Sequence, residues 1–261
     1  MIPYFWDSLE RFIKPNVKDL PRLKFLTTTD FPPFSFIDKN KRLSGFHVDL
    51  ARAICEELEV ISVCQIQALP FDQLQAALKA GKGEALLSGL AITEENRKEL
   101  IYSRPYFRLP ARFVGLNNNQ LREPLISALA GKSVGIVDGT AHAAYAKAFF
   151  GDMRLQLFET QSAALSILQE GKVDAVFSDG LSLSFWLQKE LGRSEQSKKL
   201  TCCKFIGGAY LSQVYFNNAL SIALVKGNEE LESAINFALH SISQKGKFSE
   251  LYLRYFPISL Y

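Results

Sequence analysis

Two polar pairs, Ser88-Gly89 and Ser178-Asp179, each follow a short apolar run, and they are the residues best placed for binding chemistry. An apolar run that stops at such a pair is typical of a buried strand entering a loop. In open α/β sheets, ligands bind outside the carboxyl ends of the strands, because loops there present backbone N–H groups and helix N-termini. The pattern therefore predicts a site for a small polar molecule.

The segments that carry these pairs resemble one another. LKAGKGEALLSGL (78–90) and LQEGKVDAVFSDGL (168–181) share Leu, Gly-Lys, an acid, Ala and Ser at a constant offset. In each, the pattern predicts an amphipathic helix that ends at a glycine suited to the left-handed C′ position, followed by a short strand. Two similar α/β halves are predicted. If the halves face one another, the two pairs line opposite walls of one cleft, where ligands between domains usually bind.

A second loop supports a site of this kind. The run SVGIV (133–137) predicts a strand, and Asp138-Gly139-Thr140 leads from it into the helical stretch AHAAYAKAFF. Thr140 is the predicted N-cap. The free amides of that first turn favour a carboxylate or another anion. The alternative is that Thr140 only caps the helix.

The first α/β half begins with a predicted strand, LKFLT (23–27), and a turn-rich segment from Thr28 to Phe36, in which Pro32-Pro33 argues against regular structure. A helix is predicted after Gly45. Its apolar stripe, at spacings of three and four residues, is formed by Val48, Ala51, Cys55 and Leu58.

Composition excludes several functional classes. The chain has 261 residues and 48% hydrophobic residues, enough for a sizeable core, and its net charge is only +3. The sequence has no basic stripe of the kind that indicates nucleic-acid binding. Neither a signal-peptide pattern in residues 1–20 nor a long apolar span is present. We expect that a signal sequence has been removed.

The four cysteines lack the spacing of a structural zinc site, so no metal is predicted. Cys55 and Cys64 enclose a short helix-to-strand connection, where they either form a disulfide in an oxidising compartment or remain two buried thiols. The vicinal pair Cys202-Cys203 is harder to interpret.

The chain resembles the periplasmic binding proteins for polar amino acids (family 3), typified by the histidine-binding and lysine/arginine/ornithine-binding proteins. The resemblance covers residues 23–256, and its motifs are specific in combination although each alone is weak. The motifs are FPPFSF (31–36), RLSGFHVDLARAIC (42–55), LLSGLAITEE (86–95), YSRPYF (102–107), GKSVGIVDGT (131–140), GKVDAVFSD (171–179) and GKFSELYLRYF (246–256).

This resemblance implies an α/β fold of type II: two Rossmann-like lobes joined by a two-stranded hinge, with crossings near 108–113 and 210–216. Lobe 1 is then discontinuous, comprising residues 21–110 and 214–261. Lobe 2 comprises residues 111–213, and residues 1–20 form an N-terminal arm. The resemblance also implies a disulfide between Cys55 and Cys64.

Ligand-binding residues are carried over one by one. Phe31 matches an aromatic residue that stacks on the ligand side chain, and Phe71 matches an apolar residue on its other side. Asp179 matches the acid that receives the α-ammonium group. The strand-end segment Ser88, Gly89, Leu90 and Ala91 matches the segment that meets the ligand on the opposite wall.

The expected carboxylate anchor departs from the family pattern. The family has a serine and, five residues later, an arginine, whereas this chain has Ala91 and Asn96. Arg97 is one residue further, a rotation of about 100° on a helix, so it cannot simply replace the usual clamp. The resemblance further assigns ligand contacts to Thr140 and Ala141. His142, in place of a common glutamine, either donates to an anion or has a structural role, and His47 is predicted to lie at the surface.

The function implied by the resemblance is an extracytoplasmic, periplasmic solute-binding protein of an ABC importer. It would close two lobes around an amino acid or amino-acid-like ligand and deliver it to an ABC transporter permease. We expect a monomer with no catalytic residue, no cofactor and no nucleic-acid partner. Two alternatives stay open: an enzyme on the same fold, such as a cyclohexadienyl or arogenate dehydratase, and a ligand-sensing module.

Overall fold

The computed structural model describes residues 15–17, 20–90, 92–118, 121, 124–197, 202–212, 214–216, 219–256 and 260, apart from the side chains of 191–197. The chain divides into two compact units. The first unit contains the described residues of Ile2–Phe107 and Ala219–Pro257, and the second contains those of Arg108–Asn218 and Ile258–Tyr261. Most of the predicted N-terminal arm lies outside the described residues.

The first unit is built on a five-stranded sheet of order β5-β1-β6-β15-β7. Strand β1 is parallel to β5 and β6, and β15 is antiparallel to β6 and β7. Short strands β2, β3 and β4 form a separate antiparallel sheet, and β8 pairs with β14. The strands are β1 (Leu23–Thr27), β2 (Asp30–Phe31), β3 (Ser35–Ile37), β4 (Leu43–Ser44), β5 (Cys64–Ala68), β6 (Ala85–Leu86), β7 (Leu100–Tyr102), β8 (Phe107–Arg108), β14 (Ala219–Leu220) and β15 (Ala223–Val225).

The helices of the first unit, apart from the short polar α3, pack an apolar face against this sheet or against one another, as their spacing of hydrophobic residues predicts. In α1, the predicted stripe is buried throughout, with each of its four residues at most 1% exposed. The helices are α1 (Phe46–Glu57), α2 (Phe71–Lys79), α3 (Asn96–Glu99), α8 (Glu229–Gln244) and α9 (Lys247–Tyr255), with a 3₁₀ turn at Ile61–Val63.

The second unit repeats this architecture. Its sheet has the order β11-β10-β12-β9-β13, with β10 parallel to β11 and β12, and β9 antiparallel to β12 and β13. One apolar cluster includes Phe113 and Ile136, and another includes Val114 and Val176. The elements are β9 (Ala111–Leu116), α4 (Leu125–Ala128), β10 (Ser133–Val137), α5 (Ala141–Phe149), β11 (Arg154–Phe158), α6 (Gln161–Gln169), β12 (Ala175–Asp179), α7 (Gly180–Ser197) and β13 (Cys203–Tyr210).

The internal repeat is confirmed by these two sheets. The units β1-α1-β5-α2-β6 and β10-α5-β11-α6-β12 each place the first strand in the centre of three parallel strands. Helices α2 and α6 are each followed by a glycine in the left-handed region, Gly81 at φ 68° and Gly171 at φ 71°. Both glycines are therefore at the C′ positions that the repeat predicts.

The segment around Pro32-Pro33 differs from the prediction of irregular structure. Strands β2 and β3 flank the two prolines, and Phe31 pairs with Ser35. The prolines occupy the turn between the strands, where the missing N–H donors cost no ladder hydrogen bond. The two prolines are thus compatible with the turn of a small hairpin, which the sequence pattern did not predict.

The disulfide between Cys55 and Cys64 is present and joins the last turn of α1 to the start of β5, with 6.2 Å between the Cα atoms. Cys55 is fully buried. A second disulfide links Cys202 to Cys203. In the described residues, no helix combines the length and hydropathy needed to cross a membrane.

Removing the first disulfide is expected to destabilise the protein. The double substitution Cys55→Ala/Cys64→Ala opens a loop with a sequence separation of 9, for which loop-closure entropy predicts a loss of about 2.5 kcal/mol in the free energy of unfolding. Urea denaturation measures this loss. Cys202→Ala/Cys203→Ala is the matched control, because neighbouring residues enclose no loop. An equal effect of both double substitutions would contradict the loop-closure explanation.

Candidate functional site

The strand end after β6 brings together Ser88, Gly89 and Phe31 in the first unit. Ser88 is 3% exposed, and its Oγ has no hydrogen-bond partner among the described residues. Gly89 has φ 74°, and a Cβ atom placed there would lie 3.1 Å from Cε1 of Phe31. Glycine therefore serves both the backbone conformation and the close approach of the aromatic ring. Leu90 follows, half-buried against the core, and Ala91 lies outside the described residues.

The two predicted aromatic contacts differ in burial. Phe31 is half-buried and stacks on Phe34, with ring centroids 4.7 Å apart. Phe71 is the first residue of α2, and 48% of its surface is exposed. An aromatic side chain exposed at a helix start is available to a ligand, because no core packing requires it there.

A cavity of about 320 Å³ lies at the carboxyl ends of β1 and β5. The residues that come directly before Phe31 and Phe71 in the chain form its lining. It is lined by Thr28, Thr29, Asp30, Ala68, Leu69 and Pro70. The hydroxyl of Thr28 donates a hydrogen bond to the carboxylate of Asp30. Among the described residues, no lysine, arginine or histidine forms a salt bridge with Asp30, which lies in the lining of this cavity. Asp30 was not among the predicted site residues, although its position before Phe31 at a strand end was a usable signal.

His47 is buried, and the prediction that it lies at the surface is wrong. The side chain is 1% exposed and packs among Phe31, Phe34 and Phe46, while its Nε2 lies 2.7 Å from the hydroxyl of Tyr106. Burial lowers the pKa of His47 to about 3, although the backbone of Leu87 opposes this shift. Sequence periodicity missed this position because His47 faces the aromatic core of the unit rather than the predicted α1 stripe.

The pKa of His47 predicts a specific acid sensitivity. An unfolded histidine has a pKa near 6.5, so below about pH 6.5 the unfolded chain binds a proton that the folded chain excludes. The free energy of unfolding should therefore fall with decreasing pH, by about 2 kcal/mol between pH 8 and pH 5 from this group. His47→Gln, which does not titrate, should lose about 2 kcal/mol less over that interval in urea denaturation. Parallel pH profiles for the two proteins would contradict the assignment.

The two candidates for the carboxylate anchor near α3, Asn96 and Arg97, make different contacts. The side-chain Oδ1 of Asn96 accepts a hydrogen bond from Nε2 of Gln75, 2.9 Å away. Arg97 is exposed, and its guanidinium carbon lies 5.8 Å from the ring centroid of Tyr102. The amide of Asn96 is thus tied to α2, whereas the guanidinium of Arg97 is an exposed cation beside the ring of Tyr102.

In the second unit, Thr140 is confirmed as the N-cap of α5. Its Oγ1 accepts a hydrogen bond from the amide of Ala143 at 3.2 Å and donates one to the carbonyl of Val137 at 2.7 Å. The amides of Ala141 and His142 in this first turn have no intrahelical acceptor, as at the start of any helix. The positive end of the helix dipole adds to their attraction for an anion.

His142 is half-buried and stacks on Phe216, with ring centroids 5.1 Å apart. Burial lowers the pKa of His142, and the nearby charge of Asp179 partly opposes the shift. The imidazole is therefore uncharged at neutral pH, and it can donate only a neutral N–H hydrogen bond to a ligand.

Asp179 ends β12 and caps α7. Its Oδ1 accepts hydrogen bonds from the amide and the hydroxyl of Ser182, at 2.8 and 3.0 Å. Within the described part of the chain, no lysine or arginine forms a salt bridge with Asp179, and Oδ2 has no hydrogen bond. The half-buried carboxylate is fixed in position by the helix start while retaining capacity to accept a cationic donor.

Arg112 is a buried cation that the sequence analysis did not select. It is 5% exposed and donates to the carbonyls of Leu260 at 2.8 Å and Gly207 at 3.0 Å, and its guanidinium carbon lies 4.4 Å from the ring centroid of Phe205. The first contact ties Leu260 to the sheet of the second unit, and the other two join β9 to β13. They indicate a structural role for Arg112, since its guanidinium donates to two backbone carbonyls and packs on an aromatic ring.

Each unit therefore collects one group of the predicted residues. Phe31, Ser88 and Gly89 share the strand end of the first unit. Thr140, His142 and Asp179 share the carboxyl ends of neighbouring strands β10 and β12 in the second. The two groups differ chemically: one offers aromatic surface with an adjacent carboxylate, and the other offers helix amides and a positioned carboxylate.

Comparison with known proteins gives consistent matches. The model for "Bacterial extracellular solute-binding proteins, family 3" matches residues 23–258. The L-arginine-binding protein of Pseudomonas aeruginosa is 31% identical over 88% of this chain and 86% of its own length. The lysine/arginine/ornithine-binding periplasmic protein of Escherichia coli is 27% identical over 90% of this chain and 87% of its own length. The unliganded, open L-cystine solute receptor of Neisseria gonorrhoeae shares the fold, with a TM-score of 0.75 at 20% identity over 92% of this chain and 94% of its own.

Proposed function

Because the chain belongs to the bacterial extracellular solute-binding proteins, family 3, we propose that it binds an α-amino acid with a cationic side chain, such as arginine. Two of its relatives are named for arginine or for lysine, arginine and ornithine. The two groups of residues on the two units supply complementary chemistry for such a molecule, and we propose that both contact one ligand.

The carboxylate of Asp179 carries this proposal. A half-buried carboxylate held by two donors of Ser182 and lacking a salt-bridge partner among the described residues is stabilised by a cation that arrives with the ligand. The α-ammonium group of an amino acid provides that cation and three N–H donors. In the proposal, Asp179 therefore receives the ammonium group.

The ligand carboxylate is assigned to the start of α5. The amides of Ala141 and His142 and the helix dipole favour an anion at this position. Asp179 and the α5 terminus follow neighbouring strands of one sheet, so the ammonium and carboxylate of a single amino acid are within reach of both. Arg97, an exposed cation of the first unit, is the side chain that we propose as a second partner of this carboxylate.

The ligand side chain is assigned to Phe31, Phe71 and the 320 Å³ cavity beside them. An aliphatic or guanidinium chain between two aromatic rings gains apolar contact and a cation–π attraction. Asp30 lies in the cavity lining and offers a carboxylate for the distal cation. This arrangement favours arginine or lysine over neutral amino acids.

One relative of this chain is named as a periplasmic binding protein, and another, from Escherichia coli, as an ABC transporter arginine-binding protein. We propose the same role here: a periplasmic, monomeric receptor that binds without catalytic turnover and presents its ligand to a permease. Ligand binding between closing lobes would favour the form that a permease recognises. Nucleic acid has no place in this proposal, since the net charge is only +3.

The assignment of Asp30 predicts a change in selectivity. Asp30→Asn should lower the affinity for arginine about tenfold, because a charge-assisted hydrogen bond is replaced by a neutral one. The affinity for citrulline, which has the same shape without the charge, should change by less than about threefold. Isothermal titration calorimetry on both proteins with both ligands measures the difference.

Asp38→Asn is the control for a general loss of negative charge. Asp38 lies in a turn, where its side chain accepts hydrogen bonds from the backbone amides of Asn40 and Arg42. An equal loss of arginine and citrulline affinity in Asp30→Asn would contradict the role of Asp30 in charge recognition. If neither arginine, lysine nor any other amino acid binds the folded wild-type protein, the proposed function itself is wrong.

A further inference from the structure

The disulfide between Cys202 and Cys203 lies at the start of β13, which forms one edge of the sheet in the second unit. Cys203 is 5% exposed and belongs to an apolar cluster with Val114, whereas Cys202 is half-buried. The side-chain amide of Gln169 lies 3.8 Å from Sγ of Cys202 in an exposed hydrogen bond. Cys202 is therefore the less buried residue of the pair.

The covalent situation of this pair differs from that of Cys55–Cys64. The shared peptide bond holds the Cα atoms of Cys202 and Cys203 3.7 Å apart, below the 4.4–6.8 Å that disulfides usually span. The Cα atoms of Cys55 and Cys64 are 6.2 Å apart, within that range. Departure from ordinary disulfide geometry makes a disulfide easier to reduce. A disulfide between adjacent residues also closes no chain loop, so the folded state does little to stabilise it against reduction.

We propose that Cys202–Cys203 is a reversible two-electron redox site that exchanges with a dithiol. One thiolate of the dithiol attacks Sγ of Cys202, the S–S bond breaks, and Cys203 leaves as a thiolate that takes up a proton. The second thiol of the reductant then attacks the mixed disulfide and releases Cys202. The dithiol becomes a disulfide, and two electrons and two protons pass to the cysteine pair. Oxidation by a disulfide reverses these steps.

The position of the pair separates this redox site from the proposed ligand site. Along β9, Leu116 pairs with Cys203 and Ala111 pairs with Asp179. Five residues of an extended strand span about 17 Å, so the redox pair and Asp179 lie at opposite ends of the sheet. Reduction of Cys202–Cys203 is therefore expected to leave ligand binding intact. The redox site does not depend on the identity of the ligand.

The test is a titration of the folded, air-oxidised protein with dithiothreitol at graded ratios of reduced to oxidised reagent. Each sample is quenched by alkylation and analysed by peptide mass spectrometry. We expect the peptide with Cys202 and Cys203 to gain two alkyl groups at a ratio at least tenfold less reducing than that needed for Cys55 and Cys64. Removal of the reductant in air should restore the unalkylated disulfide.

The variant Cys55→Ala/Cys64→Ala has only the vicinal pair of cysteines. Its reduction therefore gives the midpoint of Cys202–Cys203 alone, without a contribution from the other disulfide. Free thiols at Cys202 and Cys203 in the air-oxidised protein would overturn the proposal, as would reduction of both disulfides at the same ratio. Arginine titration of the reduced wild-type protein distinguishes this proposal from the ligand-binding one. A redox site that titrates as expected in a protein that binds no amino acid would leave this inference standing while the proposed function fails.

Discussion

Replacing Asp179 by asparagine is expected to lower the affinity for arginine by about 100-fold or more while the protein stays folded. The substitution removes the charge that receives the α-ammonium group, and loss of one partner in a desolvated charge pair costs about 2–5 kcal/mol. Asparagine is as good an N-cap as aspartate, so α7 keeps its capping hydrogen bonds from Ser182. Isothermal titration calorimetry measures the affinity, and urea denaturation measures the stability.

Ser182→Ala is the matched control for this substitution. It removes one hydroxyl donor to Asp179 and leaves the carboxylate charge, so it should cost about 0.5–1 kcal/mol of stability and change affinity by only a few-fold. If Asp179→Asn binds arginine within a few-fold of the wild type, Asp179 is a helix cap alone and the ammonium assignment is wrong.

Replacing Gly45 by alanine is expected to destabilise the protein by about 3 kcal/mol or more. Gly45 has φ 129° and ψ 170°, a conformation accessible essentially only to glycine. A Cβ atom there would lie 2.4 Å from the carbonyl oxygen of Phe34, which is backbone and cannot turn aside. Phe34 supports the ring of Phe31, so the affinity for arginine should fall as well. Urea denaturation and calorimetry measure the two effects.

Gly81→Ala separates a backbone conformational effect from this steric clash. Gly81 also has a positive φ, 68°, but apart from its chain neighbours no described residue has an atom within 4 Å of a Cβ placed there. Its substitution should cost about 1–2 kcal/mol, the usual penalty for a left-handed alanine. Equal losses for both variants would show that the contact between Gly45 and Phe34 carries none of the effect.

Much of the fold was predictable from local sequence patterns. The strand 23–27, the α1 stripe, the strand 133–137 and the cap at Thr140 all depend on residues near one another in the chain. The repeat over 78–90 and 168–181 added the long-range information that two similar sheets exist. Local periodicity, capping and repetition were sufficient for these features because each is determined within about one helix and one strand.

The side-chain environments of the candidate site were not predictable in the same way. The burial of His47 depends on aromatic rings and on Tyr106, which is 59 residues away in sequence. The cavity beside Asp30 depends on β1 and β5 being neighbours, and its lining combines residues about 40 positions apart. Asp179 was selected from its strand-end position in the repeat and from the resemblance to a family, whereas its capping of α7 is apparent only in the structure. Three-dimensional neighbours, rather than residue types, decide these roles.

We propose that this protein recognises both the ammonium group and the cationic side chain of an amino acid. The most direct test of this proposal is isothermal titration calorimetry of the folded full chain with L-arginine and with 5-guanidinopentanoic acid, which lacks only the α-amino group. We predict one arginine bound per chain and at least about 100-fold weaker binding of the analogue, since Asp179 then remains without its cation. Equal affinity for the two compounds, or no binding of arginine, lysine or any other amino acid, would contradict the claim.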